Sequence, residues 1–339
     1  MSKYLNVFNT LAEYQAFSAS TEYVQPNVAL VKETNVLYYD YGNNKPQVDM
    51  SDFKVESQET SVGGNKYGKE AITKINYIPT GITILHSTFE HFTGLEEVTC
   101  EIPDTVTNMY WTFYGCSSLV NAPEIPNSVT SMEYAFRGCS SLVNVPNLPS
   151  GVTNIRYSFI DCTSLVNVPN IPDSVSSLYS TFSGCTSLVN APVIPSSVTD
   201  MNYTFMNCSS LVNVPVIPSS VTYMSYTFRG CSSLVNAPEI PSGVRSLNNT
   251  FYGCSSLVNA TIPSGVTNMS DTFYYCKSLK EVTLLPVTPP SYSYPFWGCE
   301  NLESIYVPDS ALEDYKNATG WAEFAVTDKF KPLSEKPTE

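Results

Sequence analysis

Thr112-Phe113-Tyr114-Gly115-Cys116-Ser117-Ser118-Leu119-Val120-Asn121-Ala122-Pro123-Glu124-Ile125-Pro126-Asn127-Ser128-Val129-Thr130-Ser131-Met132 is one turn of a pattern that returns through most of the 339-residue chain. Phe89, Phe113, Phe136, Phe159, Phe182, Phe205, Phe228, Phe251, Phe273 and Phe296 mark ten such turns, and a leucine follows six residues after each, from Leu95 and Leu119 to Leu279 and Leu302. Three residues further on stands an apolar residue such as Val98, Ala122, Ala260, Val282 or Ile305. Ile or Leu before proline comes next, as in Ile125-Pro126, Leu148-Pro149 and Ile171-Pro172. Val129 and Met132, with equivalents such as Val152 and Ile155, complete the apolar set. One turn cannot bury both its faces, so neighbouring turns must stack. The pattern predicts a β-rich solenoid in which the L-x-x-A/V stretch is a short strand and the Gly and Ser around each Cys form the bend.

The period slips in one place only. Phe89 to Phe113 spans 24 residues and Phe251 to Phe273 spans 22, against 23 elsewhere in the central array. Both changes fall between the second apolar residue of the expected strand and the following Ile-Pro. Val98 to Ile102 is four residues, Ala122 to Ile125 three, and Ala260 to Ile262 two. A segment that absorbs single residues reads as a bulge at a strand end.

Cysteine placement follows the repeat. Of the ten cysteines, Cys116, Cys139, Cys162, Cys185, Cys208, Cys231 and Cys254 recur every 23 residues, and Cys276 and Cys299 continue the series. Disulfide scaffolds are small and irregularly spaced. One thiol per turn instead reads as a buried small hydrophobe. Zinc is disfavoured because the chain has no C-x-x-C pair and only two histidines, His86 and His91.

A period of 20 to 29 residues with this leucine spacing belongs to the leucine-rich-repeat range. The turns resemble BspA-type leucine-rich repeats over about residues 71–333. The stretch LESIYVPDSALEDYKNATGWAEF, Leu302 to Phe324, is similar to the C-terminal cap of that family. The resemblance implies a last strand ending at Val307-Pro308 and a short helix over about Ser310 to Asn317. It further implies adhesion or binding without a fixed ligand, usually on an exported protein. Residues 71–308 are read as the solenoid and residues 309–339 as cap and tail.

Residues 1–43 carry no repeat. Thr10-Leu11-Ala12-Glu13 has capping-box spacing and predicts a short helix over about Leu11 to Phe17. Val28 to Val31 and Val36 to Tyr39 read as two strands. This stretch resembles a leader found on structural proteins of bacteriophages that infect gut anaerobes, where it precedes varied display modules. The resemblance implies an assembly role, with Tyr4, Leu5, Val28, Val31 and Tyr39 as apolar residues too few for an independent core. They would be covered by other virion proteins or by a second copy of the chain. Residues 44–70 are polar, contain glycine, and read as a linker.

Charge excludes some partners. A net charge of −14 and a pI near 4.6 argue against nucleic acid and against an anionic membrane surface. No run reaches the roughly 18 apolar residues of a membrane-spanning helix. The start MSKYLNVFNTLAEY lacks a basic and then apolar export signal, so folding in a reducing cytoplasm is expected.

Candidate chemistry is sparse. Gly63-Gly64-Asn65-Lys66-Tyr67-Gly68-Lys69 has phosphate-loop spacing, but Glu70 stands where a hydroxyl for magnesium is needed. A flexible segment explains it better. His86 and His91 have no helix to align them and no evident partner. The serines sit in bend positions, and the acidic residues do not recur as facing pairs for a glycosidase. No catalytic residue, metal site or cofactor is assigned. Two stripes remain. Asn121, Asn144, Asn167, Asn190, Asn213, Asn236 and Asn259 predict an asparagine ladder between turns. Two residues before each phenylalanine lie Trp111, Tyr134, Tyr157, Ser180, Tyr203 and Tyr226. Aromatic rings in a row suit sugar rings, and equally suit stacking on one another. Trp111, Tyr134, Tyr157, Tyr203 and Tyr226 are therefore the candidate ligand-binding residues, for a host-surface glycan or protein. Positions beside them, Tyr110, Glu133, Arg156, Tyr179 and Asn202, vary most between turns. The expectation is a non-enzymatic, homo-oligomeric virion component of head-fibre, decoration or tail type, assembled in the host cytoplasm and released by lysis. The alternative is a bacterial BspA-like surface adhesin.

Overall fold

The structure, a computed structural model, describes residues 73–75, 78, 82–291 and 293–337, together with the backbone of four strands near the N-terminus. The chain divides into two compact units, Met1–Pro172 and Asp173–Glu339, with the division inside the repeat array.

In the first unit, β1 (Leu5–Phe8), β2 (Asn27–Val31), β3 (Val36–Asp40) and β4 (Gln47–Val48) form one sheet in that order. β1 runs parallel to β2, and the other two pairings are antiparallel. The two strands expected over Val28–Val31 and Val36–Tyr39 are thus present and paired. β4 lies inside the stretch read as linker, where Val48 stands opposite Leu37. The register aligns Leu5, Val28 and Tyr39 in one row and Phe8, Val31 and Val36 in another. Tyr4, the helix expected over Leu11 to Phe17, and the run Gly63 to Lys69 lie outside the described residues.

Both units carry coils of a β-solenoid, but regular strand is rarer than the sequence suggests. β5 (Lys74–Ile75) pairs in parallel with β6 (Glu97–Val98) in the first unit. Beyond it, Asn121, Asn144 and Asn167 meet as single-residue parallel bridges, and so do Asn108, Ser131 and Asn154. In the second unit such bridges join Asn190 to Asn213, and Ser177 to Asp200 to Tyr223. Proline is the reason. Two residues after the bridging asparagine stands Pro123, Pro146, Pro169, Pro192, Pro215 or Pro238. Proline has no N–H to continue a ladder. Where Thr261 takes that place, pairing extends at once: β7 (Asn259–Ile262), β8 (Glu281–Leu284) and β9 (Ser304–Val307) form a parallel sheet. The one-residue shortening of this coil therefore marks regular strand rather than a bulge, and the 23-residue coils from Phe113 to Phe251 carry the proline interruption.

The core is a set of ladders. Phe113, Phe136 and Phe159 in the first unit, and Phe182, Phe205, Phe228, Phe251 and Phe273 in the second, are wholly buried. Within each unit successive rings lie 5.3 to 5.9 Å apart and nearly parallel. The thiols join the same core as hydrogen-bond donors. Cys139 Sγ donates to the Phe113 carbonyl of the preceding coil at 3.1 Å, and Cys162 to that of Phe136. Cys208, Cys231 and Cys254 repeat the bond to Phe182, Phe205 and Phe228. All ten cysteines are free thiols, eight buried and two, Cys100 and Cys299, half-buried. Burial pushes the Cys208 thiol up to about 12. Where Thr or Ser precedes the phenylalanine, as at Thr112, Ser158, Thr204, Thr227, Thr250 and Thr272, its hydroxyl also reaches one coil back. Thr112 Oγ1 donates to Leu85 O at 2.7 Å, Ser158 Oγ to Met132 O at 2.7 Å, and Thr227 Oγ1 to Met201 O at 2.9 Å.

The open end of the second unit is closed by more structure than one helix. A short 3-10 turn (Asp309–Ala311) leads into α1 (Leu312–Asn317), close to the expected helix. A second helix, α2 (Ala322–Val326), and β10 (Phe330–Pro332) follow, and β10 pairs in parallel with β9. Tyr315 and Trp321 are buried, their Oη and Nε1 donating to the carbonyls of Pro286 and Pro290 at 3.0 and 3.1 Å. Both polar atoms thus enter the core with a partner, as burial demands.

Candidate functional site

The aromatic stripe begins with a backbone feature. A polar residue five positions before the phenylalanine fixes the approach: Asn108 Oδ1 accepts the Tyr110 N–H at 2.8 Å and Asn154 Oδ1 accepts that of Arg156 at 3.1 Å. The chain then turns through the left-handed region. Trp111, Tyr134, Tyr157, Ser180, Tyr203 and Tyr226 all have φ between 52° and 61°. A second left-handed residue lies two positions after each phenylalanine, commonly glycine, as at Gly115 and Gly138. A Cβ on Gly115 would lie 2.5 Å from His91 Nδ1, so a side chain there would require the His91 ring to move. The sequence carried a sign of this geometry in Asn249 and Asp271, which fill the stripe position in later coils. Asn and Asp tolerate left-handed backbone best among non-glycine residues.

The stripe rings are half-buried and pack on one another. In the first unit Trp111 lies between Tyr110, 5.3 Å away, and Tyr114, 5.5 Å away. Tyr134 and Tyr157 are stacked at 4.3 Å and 3°. The Arg137 guanidinium stands 5.6 Å from the Tyr114 ring and 5.9 Å from that of Tyr134. Trp111 Nε1 is the buried side-chain nitrogen without a hydrogen-bond partner among the described residues. In the second unit Tyr203 and Tyr226 are stacked at 4.5 Å and 10°. Arg229 lies over Tyr252 at 4.0 Å and 5.6 Å from Tyr226, and its Nη1 donates to Asn249 Oδ1 at 2.6 Å. Each pair spends a ring face on its neighbour, so the stripe presents edges and hydroxyls rather than flat platforms.

Burial, then the Glu133 carboxylate, raises the phenols of Tyr110 and Tyr134. Burial, then Tyr179, raises that of Tyr203. These hydroxyls stay protonated at neutral pH and act as hydrogen-bonding groups. Tyr110, Glu133 and Arg156 lie beside the first-unit stripe, with Arg156 exposed and Glu133 bonded to Asn154 at 3.0 Å.

The asparagine stripe forms the predicted ladder on an exposed face. Asn144 Nδ2 donates to Asn121 Oδ1 at 3.0 Å and Asn167 Nδ2 to Asn144 Oδ1 at 2.7 Å. Asn213 repeats the bond to Asn190 at 2.7 Å in the second unit. The histidines stay apart from any triad: His86 packs 4.9 Å from the Tyr110 ring, and His91 Nε2 lies 3.7 Å from Glu90. Among the described residues no three His, Cys, Asp or Glu side chains gather as a metal site, and no helix is long and apolar enough to cross a membrane.

Coils that each add one phenylalanine, one leucine and one thiol to a shared interior define a repeat solenoid. The chain belongs to the BspA-type leucine-rich-repeat family: the model of the BspA type leucine rich repeat region (6 copies) matches residues 60–189, 110–235 and 201–318. Among solved structures, a leucine-rich repeat protein from Bacteroides ovatus is 24% identical over 87% of this chain and 90% of that one, with a TM-score of 0.46. A leucine rich cell surface protein from Faecalibacterium prausnitzii is 21% identical over 80% and 86%, with a TM-score of 0.43. The leucine-rich repeat protein of T. pallidum is 28% identical over 54% and 72%, with a TM-score of 0.35. No curated protein matches the chain.

Proposed function

We propose that the chain is a non-enzymatic binding protein whose solenoid presents a surface to a host-surface glycan or protein. The observation that carries this reading is the separation of constant and variable positions. Phenylalanine, thiol and leucine hold each coil from inside, while Tyr110, Glu133 and Arg156 change sign and size on the outside of successive coils. Specificity sits where a fixed scaffold carries varied side chains. The stacked rings of Trp111, Tyr134 and Tyr157, and of Tyr203 and Tyr226, stiffen the backbone that displays those residues and add edges and hydroxyls to the contact.

The finer part of the proposal is a bacteriophage virion component, of head-fibre, decoration or tail type. Its support is the resemblance of residues 1–43 to a phage structural leader. The row of Leu5, Val28 and Tyr39, with Val31 and Tyr4, is the surface assigned to other virion proteins or to further copies of the chain. The test compares the full chain with a fragment beginning at residue 60, where the family match starts. Sedimentation should give a larger mass for the full chain, relative to its length, and mass spectrometry of purified phage particles should find it. Equal association states, with the chain absent from particles and present on bacterial surfaces, would overturn the virion reading in favour of an adhesin.

A further inference from the structure

In the second unit's interior coils, the side chain just after the phenylalanine packs against its counterpart in the next coil. Arg229 lies on Tyr252, and Tyr252 stacks on Tyr274 at 4.9 Å and 5°. The last coil has no successor. Its core position is closed by the cap, with Phe324 edge-on to the buried Phe296 at 5.4 Å. Tyr294 and Trp297, on either side of Phe296, are left 59% and 56% exposed. Their rings meet edge-on at 5.9 Å and 81°, which leaves the Trp297 indole without a parallel ring against it among the described residues.

Solvent alone does not account for two aromatics there. The two preceding coils place Asn249 and Asp271 where this one has Tyr294. Tyr294 keeps the left-handed backbone, with φ of 45°. The same backbone is common to Trp111, Tyr134, Tyr157, Tyr203 and Tyr226, so it sets the direction of the Tyr294 ring without marking a site by itself. The two rings, with Phe324, wall a concave pocket of about 260 Å³ whose rim carries Glu323, Thr327 and Lys329. That volume lies just below the usual small-ligand range. The backbone that carries the indole is fixed, since Tyr275 N–H donates to Trp297 O at 2.6 Å and Trp297 N–H to Tyr294 O at 3.3 Å.

We propose that this pocket binds one pyranose ring of a neutral glycan, its apolar face on Trp297 and its hydroxyls on the rim. The Thr327 hydroxyl donates to Phe324 O at 3.2 Å and keeps its lone pairs as acceptors, and the Lys329 ammonium donates to Leu302 O and keeps its other hydrogens; with the exposed Glu323 carboxylate they carry no net charge, which matches a polyol rather than an anion or a cation. The proposal deepens the glycan half of the reading above by giving it a ligand class and a place.

The three tryptophans make the test direct, because Trp321 is buried and Trp111 half-buried, so Trp297 dominates acrylamide quenching. The full chain is titrated with methyl glycosides of glucose, galactose, mannose and N-acetylglucosamine, and the variants are followed by calorimetry. At least one glycoside should protect Trp297 saturably. Trp297→Ala should weaken binding about tenfold or more, Trp297→Phe should restore most of it, and Glu323→Gln should weaken it with an unchanged melting temperature. No protection by any glycoside, or equal binding by Trp297→Ala, would overturn the proposal. So would self-association of the native chain that Trp297→Ala abolishes without any glycoside binding, since the rings would then be a contact between copies. If Trp297→Ala does not fold, the exposed Glu323→Gln decides by itself. Attachment to cells is measured separately, so the pocket and the wider surface reading fail independently.

Discussion

Phe205→Ala removes one rung from the middle of the second unit's phenylalanine ladder. The ring is wholly buried and lies 5.8 Å from Phe182 and 5.9 Å from Phe228, nearly parallel to both. Truncating a buried phenylalanine costs about 3–5 kcal/mol, the spread reflecting how far the site collapses. Collapse is restricted here, because the backbone on both sides is pinned. The Phe205 N–H donates to Thr227 O at 2.9 Å, and its carbonyl accepts both Cys208 N–H and Cys231 Sγ at 3.1 Å. Alanine keeps those bonds, so the loss reports the ring alone and should lie in the upper half of the range. About 1–2 kcal/mol of it belongs to the two ring pairs. Phe205→Leu refills part of the volume and should cost less than half as much. Urea unfolding at 25 °C, followed by circular dichroism, reads the effect as a lower midpoint at nearly constant slope. A repeat array can also open in parts, so hydrogen exchange at the Phe205 and Cys208 amides should rise with the same free energy. An unchanged midpoint together with unchanged exchange at those amides would refute a ladder of buried rings.

Three further outcomes follow from the same structure. A thiol reagent should label Cys100 and Cys299 first, because the other eight thiols are buried, and all ten should react only after denaturation. The thiol contribution should be constant between about pH 6 and 8 and fall above that. The unfolded thiols lose their protons near pH 8.5, whereas native Cys208 holds its proton to about 12. In that window the native state binds more protons, and each such thiol removes about 1.4 kcal/mol per pH unit; thermal melts that rise between pH 8 and 10 would contradict this. Asn144→Asp should cost about 1 kcal/mol at pH 7, since a carboxylate cannot donate to Asn121, and the deficit should shrink below about pH 4 as the acid gains a proton.

The interior was legible because it repeats. Phe, Leu, Cys and the Ile before proline recur at nearly constant spacing, and the structure buries each of them except Cys299, which is half-buried. Strand extent was not legible from apolar spacing, because backbone pairing is decided by a missing N–H at Pro123 and its equivalents rather than by side-chain polarity. The thiols read correctly as buried, but their role as donors to Phe113, Phe136 and later carbonyls depends on a partner one coil away. The aromatic stripe was visible as a row of residues. Its left-handed backbone and the use of its ring faces were not, since spacing carries no φ and no ring orientation. Tyr294 continues the same slot, yet its exposure arises only because the last coil has no follower and α2 covers Phe296 alone.

Within each unit the bonds from the buried thiols, and that from Thr112, point one way, from a coil to the one before it, across 25 to 27 residues. A donor therefore needs only a neighbour of the same design, not a particular neighbour. Duplicating or deleting one whole coil would leave every such donor facing an equivalent carbonyl. Coil number can then drift between related chains in single steps while the cap stays unchanged. In this architecture a 23-residue insertion disturbs less than one residue inserted between a phenylalanine and its leucine, where the spacing is constant.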